Sequence, residues 1–154
     1  MNSAQFHLLL NHLPVIIPIL GAPILVVGIL TKSSDTQKVG LCLLILSALI
    51  AIPTYLTGGP AQRLIKNYPN VSRLAISEHE EAAQLSLIAI EIVGAISLLL
   101  LVWAQLGKQI PRTAWATVLF LSVSSTGLIV RTAHLGGQIR HEEIQSEKFL
   151  RATR

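Results

Sequence analysis

Cysteine is almost absent: Cys42 is the only one in 154 residues. That excludes an intrachain disulfide and any cysteine-built metal cluster. Charge is also scarce. Asp, Glu, Lys and Arg make up 13% of the chain, against about 25% in an ordinary soluble domain. With 51% hydrophobic residues, a disordered chain is excluded as well. The net charge of +4 comes with only 5% aromatics and no basic patch interleaved with them, so a nucleic-acid-binding surface is excluded. Residues 1–12 lack Lys and Arg, so the first apolar run has no positive n-region and is not expected to be a secretory signal peptide. No Ser or Cys stands in a nucleophile–base pattern, which leaves acyl hydrolase chemistry without support.

What is present is long apolar runs, and the mean hydropathy is +0.60. A membrane-spanning helix needs about 20 predominantly apolar residues, and four stretches meet this, at about 13–30, 39–57, 82–106 and 113–131. The first two carry no charge and no polar stripe, which a soluble bundle helix would show. The expected fold is therefore all-α: an integral membrane, antiparallel four-helix transmembrane bundle forming one domain, with a tail over 132–154. Pro14 suits a first helical turn. Pro18 and Pro23 are expected inside the first span, their lost hydrogen bonds compensated by neighbouring helices. Between spans two and three, Gly58-Gly59-Pro60 ends the apolar run and a mixed segment with Arg63, Lys66 and Arg73 follows. It predicts a short interfacial helix, interrupted near Pro69, with Ser77–Glu80 starting the third span.

The connections at 31–38 and 107–112 are short and lie at one end of the bundle. Trp103 and Trp115 stand beside the second, where an aromatic belt belongs. The other end holds both termini, the long connection and all five histidines: His7, His12, His79, His134 and His141. Four Lys/Arg fall at the short-loop end and eight at the termini end. Around the first span the contrast reverses, with no cation before it and Lys32 and Lys38 after it. The first helix usually dominates orientation, so the termini are expected in the bacterial periplasm, with the chain in the cell inner membrane.

A cluster of imidazoles beside carboxylates suits haem iron or a transition metal. Cofactor candidates are His7, His12, His79, His141 and Arg131, the arginine for a haem b propionate. Candidates for a bare ion are His12, His79, His134, His141 and Glu81. On an unbroken helix His134 and His141 would stand about 10 Å apart, so Gly136-Gly137 would have to break it. The competing reading is that each histidine is an amphipathic residue at the headgroups. Glu91 lies nine residues into span three, about 13 Å deep. A carboxyl at that depth is a functional hypothesis: either an interhelical hydrogen bond to Ser122, Ser124, Ser125 or Thr126, or a proton relay towards the histidines. Thr54-Tyr-Leu-Thr-Gly58-Gly59 matches Thr132-Ala-His-Leu-Gly136-Gly137, which suggests two repeated helical hairpins.

The run from His7 through His12 to Pro14, Thr57-Gly58 closing span two, His79 at span three, and Gly136-Gly137 with His141 after span four together resemble a family of bacterial four-helix membrane proteins, domain-of-unknown-function family 2231. The resemblance covers nearly the whole chain. It departs at Leu8, where the family carries proline, and in the short spacing from Gly137 to His141, which makes His134 a rival. It implies His7, His12 and His79 as site residues and a redox or metal-linked membrane role. The expected function is electron transfer through haem b or a metal, within or beside a respiratory-type complex. Its partners would be the lipid bilayer and a cytochrome or another membrane subunit. The alternatives are a non-catalytic accessory or anchor subunit, and a metal-dependent membrane enzyme, which would need an open coordination position.

Overall fold

The structure, a computed structural model, describes residues 3–66 and 71–139. Five helices follow in order: α1 (Ser3–Leu10), α2 (Leu13–Leu30), α3 (Ser34–Ile65), α4 (Arg73–Gln105) and α5 (Arg112–Gly137). Among the described residues there is no strand. Four stretches are long and apolar enough to cross a membrane: Gln5–Leu30, Ser34–Ile65, Arg73–Gln105 and Arg112–Gly137. At most 33% of each apolar window is buried inside the bundle. The remaining apolar surface faces outward, with Leu99, Phe120 and Val123 at 68–71% exposed. Such an apolar surface is compatible with a lipid surround.

The helices run up and down, with α2 on α3, α3 on α4, α4 on α5, and α5 closing on α2. The core is a narrow seam of Leu25, Leu41, Leu44, Ile90, Val93 and Val118, each 1% exposed or less. Small residues let the backbones approach. Gly94 faces Ala48 so closely that an added Cβ would collide with it, and a Cβ at Gly40 would sit 2.7 Å from that of Leu25.

Pro14 stands in the first turn of α2, and Pro18 and Pro23 lie inside the helix without ending it. Pro18 has no N–H, so the carbonyl of Pro14 loses its intrahelical donor. The Ser47 hydroxyl on α3 donates to that carbonyl at 3.4 Å, the compensation from a neighbouring helix that the sequence predicts. At the short-loop end, Ser33 caps α3 by accepting from the Thr36 N–H. There Trp103 is exposed, with the Lys108 ammonium 5.0 Å from its ring centre.

The connection between spans two and three differs from the expected one. Gly58-Gly59-Pro60 does not end the helix; α3 continues to Ile65, and α4 begins at Arg73 rather than Ser77. No separate interfacial helix is found among the described residues there, and Pro69 lies outside them. Packing explains both extensions. Helix α1 lies against α3, and Ala61 is buried, which offsets the weak helix propensity of the glycines. On α4, Ser72 caps the helix by accepting from the Ala75 N–H, and Ala75 and Ile76 are buried. At 32 and 33 residues, both helices exceed the roughly 20 residues that cross a hydrocarbon core.

Candidate functional site

Helix α1 sets His7 against the C-terminal part of α3. Its Nδ1 lies 3.0 Å from the Thr54 carbonyl and 3.0 Å from Thr57 Oγ1. A carbonyl only accepts, so Nδ1 carries the proton. The Thr57 hydroxyl donates to the same carbonyl at 2.8 Å. In its neutral form the ring is thus held in one tautomer, with Nε2 as its bare lone pair.

His79 on α4 repeats this arrangement against α5. Its Nδ1–H donates to the Thr132 carbonyl at 3.0 Å. The Thr132 hydroxyl donates back to Leu128 at 3.0 Å and accepts from the Ser86 hydroxyl at 2.8 Å. Both rings are half-buried. Neither Nε2 has a hydrogen-bond partner among the described residues.

The faint sequence repeat acquires a physical content here. In each hairpin the first helix supplies a histidine. The second supplies a threonine carbonyl to hold it and, one turn on, a glycine for the ring to lie over. A Cβ at Gly58 would stand 3.6 Å from His7 Cε1, and one at Gly136 would stand 3.0 Å from His79 Cε1. Both units stand at the termini end of the bundle. A neutral imidazole with its Nδ1–H fixed by a carbonyl is the form that ligates metal or haem iron.

The other predicted residues are placed elsewhere. His12 is exposed, with Nδ1 donating to the Leu8 carbonyl one turn back at 2.8 Å. His134 is also exposed, 2.9 Å from the Gln138 amide. Two residues from Thr132, it is turned about 200° around α5 from the stripe that holds His79. His141 lies outside the described residues. Glu81 and Arg131 line a cleft between α4 and α5 together with Glu78, Ala82, Leu85 and Leu135. Among the described residues no three His, Cys, Asp or Glu side chains come together to hold an ion, so the expected set of His12, His79, His134 and Glu81 does not form. Cys42 is exposed.

Glu91 does not meet the hydroxyls expected to hold it. Ser122, Ser124, Ser125 and Thr126 donate to carbonyls of their own helix, at 2.6–3.1 Å. Helical serines and threonines readily bond back in this way. Glu91 Oε1 is buried without a partner. Twelve residues beyond His79, it sits about 120° around α4 and about 18 Å along it.

The fold and site define an all-α bundle, apolar enough to span a membrane, with a paired-imidazole centre at its termini end. Comparison with known protein families, with curated proteins and with solved structures finds no match for this chain.

Proposed function

We propose that this chain is a multi-pass protein of a bacterial inner membrane that holds haem b, or a transition-metal ion, between His7 and His79. Its role would be electron transfer beside or within a larger membrane complex. The observation carrying this reading is that His7 and His79, at one end of the bundle, are each anchored through Nδ1 to a threonine carbonyl. Two imidazoles could hold haem iron without a further protein ligand. A structural zinc site takes four protein ligands and a catalytic one three, so the donor set suits haem better than a bare ion.

Thr54 and Thr132 orient the rings, Thr57 and Ser86 complete the hydrogen bonds behind them, and Gly58 and Gly136 admit the rings to the helix surface. When bound, haem would supply one-electron redox chemistry. The positions that bear the family resemblance, among them His7, Thr57-Gly58, His79 and Gly136, include those of the pair, which supports the same redox or metal-linked reading. The first-span charge asymmetry supports placing the termini in the periplasm.

A second reading has its own observation. The same hydrogen bonds clip α1 to α3 and α4 to α5, which would suit an accessory or anchor subunit with structural histidines. Visible spectroscopy and metal analysis of the purified protein separate the two. The first reading expects stoichiometric haem or metal, lost in His7→Ala and His79→Ala and kept in His12→Ala and His134→Ala. A folded, colourless and metal-free protein would leave the accessory reading standing.

A further inference from the structure

Along α4, Gln84, Ile88, Glu91, Ala95, Leu98 and Val102 follow one another at alternating steps of four and three. That is the a/d spacing of a coiled coil, and at about 100° per residue they fall within one arc of about 80°. All are exposed except Glu91, which is half-buried, and Ile88, Leu98 and Val102 are 49–53% exposed. We propose that a second copy of this chain packs along this seam, giving a parallel, two-fold symmetric dimer with Glu91 near its axis.

The seam is self-complementary, and that selects a second copy as its occupant. Two copies inserted the same way in a bilayer are related by a two-fold axis along the membrane normal. The interface is then isologous, and α4 meets its counterpart parallel and in register. Each seam residue therefore faces its own duplicate, and a seam of this kind holds only if every residue attracts itself. Ile88, Ala95, Leu98 and Val102 pack apolar against apolar, and Ala95 lets the helices approach. The amide of Gln84 both donates and accepts, and so does a protonated carboxyl at Glu91. No Lys or Arg lies between residues 82 and 106 to set like charges against each other. Glu91 also needs such a partner. Its Oε1 has none among the described residues, and an unpaired carboxyl at that depth is costly. The terminal carboxyl torsion is broad, so either oxygen can turn to the seam. The exposed hydroxyl of Ser124 on α5 makes no such demand, because it donates to the Phe120 carbonyl of its own helix at 2.9 Å. The proposal rests on the bundle lying in a bilayer and is independent of any cofactor at His7 and His79.

The test uses the full chain reconstituted in phosphatidylethanolamine–phosphatidylglycerol vesicles, with association measured by energy transfer between labelled copies as lipid dilutes them. The expected result is a dimer. E91Q, whose amide still donates and accepts, should keep it, whereas E91A should weaken association by about three- to tenfold, the factor given by one interhelical hydrogen bond in a membrane. Cysteine cross-linking locates the face without disturbing Glu91. In a Cys42→Ala background, oxidation should join copies through Ala95→Cys or Leu98→Cys on the seam. It should not join them through Ile92→Cys, about 80° around α4 from the seam centre, or through Val123→Cys on α5, although both positions are exposed. A vesicle-bound monomer would overturn the dimer alone. Cross-links through Ile92→Cys or Val123→Cys in place of the seam, or equal association of E91A and the unaltered chain, would overturn the assigned face. A chain that fails to float with the vesicles would overturn the membrane reading and the dimer with it.

Discussion

Gly136 and Gly137 are neighbours with opposite surroundings. A Cβ at Gly136 would press 3.0 Å from His79 Cε1 and 3.2 Å from its Nδ1, whereas one at Gly137 meets nothing within 4 Å. Gly136→Ala is therefore expected to displace the His79 ring and cost about 1–3 kcal/mol, as overpacking does. Gly137→Ala should be neutral to slightly stabilising in the same thermal melt in detergent. The contrast shows how far single residues were legible. Five histidines and a Gly-Gly pair at one end could be read from the chain. That His79 belongs to Gly136, and His7 to Thr54, was implicit in the repeated Thr-x-x-x-Gly and in the histidine borne by the first helix of each hairpin. His134 has the same composition signal and lies inside the repeat, but its angle on α5 turns it away. The serines opposite Glu91 misled for a different reason: a hydroxyl on a helix has a partner one turn back, and nothing in the sequence says which it prefers.

Among the elements, α2 carries a testable balance. Pro18 deprives the Pro14 carbonyl of its donor, and Ser47 on α3 supplies one. Ser47→Ala should destabilise the protein by about 1 kcal/mol, the scale of interhelical hydrogen bonds in membrane proteins. In a Pro18→Ala background, where the backbone can satisfy that carbonyl itself, the cost of Ser47→Ala should shrink. Equal costs in both backgrounds, measured as a double-mutant cycle of unfolding, would contradict this account. The four spans were legible because a predominantly apolar composition over about 20 residues is a property of the segment alone. The ends of α3 and α4 were not. Gly58-Gly59-Pro60 reads as a stop, yet the packing of α1 on α3 and the burial of Ala61 carry the helix past it. Such tertiary support leaves no local mark in the sequence.

The whole molecule brings its two anchored histidines to the termini end of the bundle. Its proposed orientation rests on the charge around the first span. With no cation in residues 1–12 and Lys32 and Lys38 just after the first span, a reporter fused to the C-terminus should be active in the periplasm. Cytoplasmic activity would mean that the eight cations at the termini end decide instead. The central claim, that His7 and His79 act together as ligands, is tested most directly by replacing each with asparagine. The asparagine amide can place an N–H where Nδ1 stands, towards the threonine carbonyl, and it removes the imidazole, so it spares a clip and destroys a ligand. The measurement is the visible spectrum and metal content of the purified His7→Asn and His79→Asn variants beside the unaltered protein. The account predicts stoichiometric haem or metal in the unaltered protein and its loss from each variant, with the fold intact. Cofactor retained in both variants, or absent from the folded unaltered protein, would contradict it.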